Sequence, residues 1–98
     1  MLPKFQLSGA ARRDLKKIAN YTLNVWGEEQ MWKYTRDLTK CCDLLAAGPE
    51  LGRHCDRLAP GLRRFEVGKH VIFYLQESDR IVVVRILHQK TLPTPKSF

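Results

Sequence analysis

At 98 residues the chain is long enough to bury one hydrophobic core without metals or disulfides, and too short for a second domain. A hydrophobic share of 44% beside a charged share of 28% describes a globular chain rather than a disordered one, and no apolar run approaches the roughly 20 residues of a membrane-spanning helix. The net charge of +7 draws acidic partners, whether nucleic acid, an acidic protein or an enzyme already holding DNA, and speeds encounter with them.

The first residues, Met1 to Leu7, lack the long apolar segment of a signal peptide, so export is not expected. Three cysteines, Cys41, Cys42 and Cys55, with no C-x-x-C spacing, fit reduced thiols in a cytoplasm. Cys41 and Cys42 would point about 100° apart on a helix, one buried and one half-exposed. His54-Cys55 supplies too few ligands for a zinc site, and no second cluster lies at a usable spacing.

Lys4 to Leu7 reads as a short strand with Phe5 and Leu7 on one face, and Pro3 suits a strand start or sheet edge. Ser8 looks like an N-cap. Beyond it Ala11, Leu15, Ile18, Thr22 and Val25 recur at helical spacing and predict a core-facing stripe. Arg12, Arg13, Lys16 and Lys17 fall mostly on the other side, with Asp14 the one acid among them. Gly27 ends this helix, and Glu28 and Glu29 open the next where the helix dipole favours carboxylates. Its core face reads Met31, Tyr34 or Thr35, Leu38, Cys41 or Cys42, and Leu45, until Gly48-Pro49 stops it. Two helices joined by so short a link predict an antiparallel helical hairpin, with Tyr21, Trp26 and Trp32 near its ends.

Glu50 to Ala59 has no clear period and reads as a loop. Pro60-Gly61 then leads into a β-hairpin: a strand with Arg63, Phe65 and Val67 on one face and Leu62, Arg64 and Glu66 on the other, a Gly68-Lys69 turn, and a return strand. The return strand, Val71 to Leu75, is apolar on both faces and so is expected in the middle of the sheet. After a turn at Ser78-Asp79-Arg80, Ile81 to His88 is the strongest strand signal in the chain. Arg85 interrupts it. A charge there must emerge at a groove or be paired, because burying it alone costs several kcal/mol. Gln89 to Phe98, with two prolines, Lys90 and Lys96, reads as a mobile tail. The whole is a single α+β domain over 1-98 of order βααβββ, with the helical hairpin on one face of a mostly antiparallel sheet and the other face partly open.

Several of these pieces, taken in order, resemble a known family. They are the Leu7 to Leu15 start with Ala11 and Asp14-Leu15, Ile18 and Tyr21, Pro49-x-x-Gly52, Gly61-Leu62-Arg63, His70 to Tyr74, and Ile81 with Arg85-Ile86-Leu87-His88. The chain is similar to ParE-type toxins of the RelE/ParE superfamily, the small basic partners in bacterial type II toxin-antitoxin modules. The resemblance implies the RelE/ParE-like βααβββ fold and a hetero-oligomer with a cognate ParD-like antitoxin. It further implies inhibition of DNA gyrase, through its A subunit, and so of replication, with no cofactor, metal or catalytic residue. It implies no membrane role and no sequence-specific nucleic-acid binding. The alternative within the superfamily is a RelE-like ribosome-dependent mRNA endoribonuclease, for which Arg63, Arg64 and Arg85 would be the cations and His70 or His88 the proton carriers. RelE-like enzymes usually carry a Tyr or His beyond the last strand, and Gln89 to Phe98 holds neither. The chain also departs from the usual ParE continuation after this histidine, with Lys90-Thr91-Leu92-Pro93-Thr94-Pro95 in its place.

Two sets of candidate residues follow. Trp26, Trp32 and Tyr34, aromatics around the helical hairpin, are expected to anchor an amphipathic helix of the antitoxin. Arg63, Arg64, Lys69, Arg85 and His88 are the expected target-binding residues, Arg63, Lys69 and Arg85 with the tail forming a basic face.

Overall fold

A computed structural model describes residues 4–98; Pro3, read above as a strand start, lies outside the described residues. Strand β1 (Lys4–Leu7) leads into helices α1 (Gly9–Trp26) and α2 (Glu28–Ala47), and strands β2 (Arg53–His54), β3 (Arg63–Val67), β4 (His70–Gln76) and β5 (Arg80–His88) follow. The sheet runs β1-β5-β4-β3-β2, with β1 parallel to β5 and every other neighbour antiparallel. This is the α+β arrangement expected, with one addition. The segment read as a loop from Glu50 to Ala59 contains β2, whose two residues pair with Arg63 and Arg64 and have no room to display a period.

Local chemistry accounts for the element ends. The Ser8 hydroxyl accepts from the Ala11 N–H at 3.0 Å and caps α1, while donating to the Val84 carbonyl at 2.8 Å. Gly27, at φ 95°, ends α1 and begins α2, a turn that a side chain would strain. Tyr74, fully buried, donates to the Pro49 carbonyl at 2.6 Å and accepts from the Gly52 N–H at 2.8 Å. A Cβ on Gly52 would lie 2.4 Å from that hydroxyl, so only glycine lets the chain pass.

Between the helices and the sheet lies the main core: Ala11, Ile18, Leu38, Cys42, Leu45, Ile72, Tyr74, Ile81 and Val83 among others. Cys42 takes the core position and Cys41 is half-buried; burial pushes the Cys42 thiol up to about 12, so it stays protonated and inert. Val25, expected on the core stripe, is 50% exposed. An 18-residue helix extends about 27 Å. Val25 lies in its last turn, where Leu23 and Trp26 are exposed as well.

The far face of the sheet, expected to be partly open, carries a second buried cluster of Cys55, Leu62, Val71 and Phe73. Leu58 and Ala59 cover it from the loop, and Phe98 covers it from the segment read as a mobile tail. That segment turns back: Gln89 N–H bonds to the Lys69 carbonyl, a Thr94–Ser97 capping box closes a short turn over Pro95–Ser97, and the Phe98 ring meets Phe73 edge-on at 5.0 Å.

A bulge in β5 joins the two faces. Phe73 pairs with Arg85 and Tyr74 with Val83, so Val84 is an extra residue. The alternation of side chains flips there: Val83 and Ile86 face the helices, while Val84 and Leu87 join the second cluster. Arg85 therefore stands beside Phe73 rather than under α1. Beyond Val83, β1 no longer covers the edge of β5, and buried Asp14 does so instead. Its carboxylate accepts from Arg85 Nε at 2.7 Å, from Arg85 Nη2 at 3.0 Å and from the Ile86 N–H at 3.0 Å. Arg85 Nη1 donates to the Ser97 carbonyl at 2.9 Å, so one guanidinium ties helix, strand and terminal segment together.

Asp14→Ala removes all three acceptor contacts and leaves the Arg85 charge unpaired. The Arg85 side chain is 25% exposed, which places the expected loss of stability in urea unfolding at the low end for a broken buried pair, about 3 kcal/mol. A loss below about 1 kcal/mol would show that water replaces Asp14.

Candidate functional site

On the helix side, α1, α2 and the end of β1 border an open apolar groove of about 380 Å³. Leu7, Leu15, Ala19, Met31, Trp32 and Thr35 line it, and Arg12 and Lys16 stand along the α1 side. The spacing of Leu15 and Ala19 puts them one turn apart on α1, and Met31 and Thr35 repeat that on α2, so each helix presents a parallel apolar ridge. Trp32 is 58% exposed, and its indole N–H reaches Glu28 Oε1 only at 3.4 Å. An apolar trough with a large, half-free aromatic and a cationic border is shaped for an amphipathic helix with acidic flanks.

The three residues expected to bind the antitoxin do not form one patch. Trp32 lines the groove. Trp26 is 66% exposed at the end of α1 and is not part of the lining. Tyr34 turns toward the β-hairpin: its hydroxyl accepts from the Lys69 N–H at 3.2 Å and lies 2.6 Å from His70 Nδ1. Burial pushes the Tyr34 hydroxyl pKa up, so it keeps its proton, with the Val67 carbonyl at 3.4 Å as a further acceptor. Its ring also packs at the Gly68 turn, where φ is 56° and a Cβ would meet the ring at 3.0 Å.

The five expected target-binding residues divide among three places. Arg63 shares its side of the sheet with its partner Tyr74 and donates to the Gly52 carbonyl at 2.7 Å. Arg64 and Arg85 stand on the far face beside Phe73, with the Arg64 guanidinium 5.5 Å from the centre of the Phe73 ring. Lys69 and His88 meet at the end of the hairpin, where Gln89 bonds back to Lys69. There the His70 and His88 rings pack edge-on at 5.4 Å, and His88 Nδ1 accepts from the Lys90 N–H at 3.1 Å. Each histidine thus has its Nδ1 engaged in a hydrogen bond inside the fold.

Sequence reasoning missed Asp14 as the partner of Arg85, and missed Leu7, Leu15, Ala19 and Met31 as a groove. A signal for the first was present: Asp14 sits between Ala11 and Ile18 at core spacing, and Arg85 is the one charge inside an apolar strand. Nothing in the sequence marks the groove, because its residues read as ordinary core. Among the described residues no group of three or more His, Cys, Asp or Glu side chains could hold a metal ion, and no helix is long and apolar enough to cross a membrane.

Burial and the neighbouring His88 hold the His70 pKa below its ordinary value. A base whose folded pKa is depressed favours folding above the unfolded value of about 6.5, and that contribution disappears as pH falls through the folded value. We expect the melting temperature to drop between pH 7.5 and 5, and His70→Phe to drop less over the same range. Parallel profiles would show that His70 titrates without constraint.

Comparison with known proteins places this geometry. The family model described as "ParE toxin of type II toxin-antitoxin system, parDE" matches residues 5–93. The chain is 38% identical over 91 residues to toxin ParE1 of Mycobacterium tuberculosis, covering 92% of this chain and 93% of that one. It is 36% identical over 85 residues to toxin ParE1 of Caulobacter vibrioides, covering 87% and 88%. The fold superposes on a chain of the chromosomal ParDE toxin-antitoxin system of P. aeruginosa with a TM-score of 0.74 at 19% identity, over 89% of this chain and 96% of that one.

Proposed function

Because the chain belongs to the ParE toxin family of type II toxin-antitoxin systems, we propose that it inhibits DNA gyrase without catalysis and is neutralised by a cognate ParD-like antitoxin in the cytoplasm. The observation that carries the antitoxin reading is the apolar groove between α1 and α2, open and bordered by Arg12 and Lys16. A segment disordered until bound gains from such a trough, since burying its apolar side chains offsets the entropy of ordering it. Trp32 is the anchor, being the largest side chain in the lining and already half out of water. Trp26 is peripheral to the contact, and Tyr34 acts through the shape of the hairpin end rather than by touching the partner.

The gyrase reading rests on family membership, with the basic surface as its physical support: a +7 chain is attracted to an enzyme that holds DNA. The ribonuclease alternative needs a base and an acid free to exchange protons across a scissile phosphate. His70 and His88 each spend one ring nitrogen on an internal hydrogen bond, and Arg63 and Arg85 bond to carbonyls or Asp14. That arrangement favours binding over cutting.

One pair of assays separates the readings. Purified chain is expected to block supercoiling by gyrase and to leave mRNA intact in a translation reaction with ribosomes; codon-linked cleavage with unaffected supercoiling would reverse the assignment. For the antitoxin, Trp32→Ala is expected to weaken the complex by about 2 kcal/mol, roughly thirtyfold in Kd, and Trp26→Ala by much less. Equal losses measured by calorimetry would move the interface off the groove.

A further inference from the structure

The far face of the sheet carries a feature that the groove does not explain. Arg53, Arg64, Phe73 and Arg85 are partners of one another across β2, β3, β4 and β5, and so form a single row on one face. We propose that this row is a second protein-docking surface, taking an acidic peptide segment with an aromatic side chain, and that residues 94–98 are a strap that occupies it in the free chain. The inference stands independently of the gyrase and antitoxin readings.

The present occupant shows what the row accepts. Arg85 Nη1 holds a peptide carbonyl, that of Ser97, and Phe73 holds an aromatic ring, that of Phe98. A backbone carbonyl and a ring one residue apart are features of a peptide rather than of a nucleic-acid strand. The strap is nevertheless a poor electrostatic match. Among its side chains it brings the Lys96 ammonium and no acid onto a row with three arginines, where like charge opposes docking. Two carboxylates already engage arginines of the row: Glu66, two residues along β3 on the same face, is spent on Arg53, and Asp14 is spent on Arg85. Arg64 Nε lies 3.4 Å from the same Glu66 oxygen but out of line, and is buried with no hydrogen-bond partner. A buried donor left unsatisfied costs about 1 to 3 kcal/mol, and an incoming carboxylate could remove that cost. The strap is also loosely led in, since Leu92 just before it is 90% exposed. A segment with an aromatic in the place of Phe98 and acids beside it keeps the ring contact, reverses the charge conflict and offers Arg64 an acceptor.

The test is a competition between the strap and a blocked peptide, Glu-Asp-Ser-Phe-Glu-Asp, titrated into the full chain. Phe98→Ala, which takes the ring out of the row, is expected to bind the peptide at least tenfold more tightly than the unaltered chain. Adding Arg64→Gln is expected to reverse that gain, as is 0.5 M salt, which screens the arginines. In the unaltered chain, saturating peptide is expected to shift the NMR signals of the Phe98 ring to those of an exposed phenylalanine, a readout that needs no variant to fold. Equal affinity with and without the Phe98 ring overturns the proposal, as do unmoved Phe98 signals at saturation. So does displacement of Phe98 by a single-stranded oligonucleotide at lower concentration than the peptide, which would assign the row to nucleic acid.

Discussion

The carboxylate of Asp14 decides how the sheet ends. β1 pairs with β5 only as far as Val83, so the amide edge beyond it would face solvent or an unpaired helix. A helical side chain completes that edge: Ser8 takes the Val84 carbonyl, and Asp14 takes the Ile86 N–H. The same carboxylate neutralises Arg85, which in turn grips the Ser97 carbonyl on the opposite face. Helix α1, strand β5 and the terminal segment are therefore linked through two side chains. Charge, hydrogen bonding and topology all converge there, and neither partner would be stable in its place alone.

This linkage divides the molecule into two working sides. On one, the helices rest on the main core and leave a groove between them. On the other, the loop from Cys55 to Leu62 and the returning segment seal a smaller core around Phe73. The basic character of the chain is distributed accordingly. Arg12 and Lys16 border the groove, whereas Arg64 and Arg85 sit on the sealed side with their guanidinium groups already in contact with Phe73 or Asp14. A net charge of +7 is thus not a single basic face. Arginines that looked available as surface are in good part structural, since each guanidinium can satisfy several acceptors at once.

The hairpin end shows the same economy of polar groups. Tyr34 reaches from α2 to the Gly68 turn, receives the Lys69 amide and shares a hydrogen bond with His70, which packs on His88. An aromatic at helical core spacing was legible as a core residue or an interface anchor. Which of the two it is depends on the proximity of a turn more than thirty residues away, and spacing along a helix carries no information about that.

Much of the fold was readable from residues in sequence. Ser8 as a cap, Gly27 between the helices, the Gly68-Lys69 turn and the doubly apolar β4 each follow from local chemistry that does not depend on the rest of the chain. The family was readable too, from short motifs kept in order. What the sequence could not specify was the side of the sheet on which Arg85 stands. Strict alternation from Val83 would place Arg85 under α1, in the apolar core; the extra residue Val84 inverts the alternation and sends it to Phe73 and Ser97. A bulge arises from the pairing of two strands, and its energy depends on which partners it brings together. Only with both strands, α1 and the terminal segment in place does Arg85 meet Asp14, and only then does a run of valines with one charge become a joint between two faces.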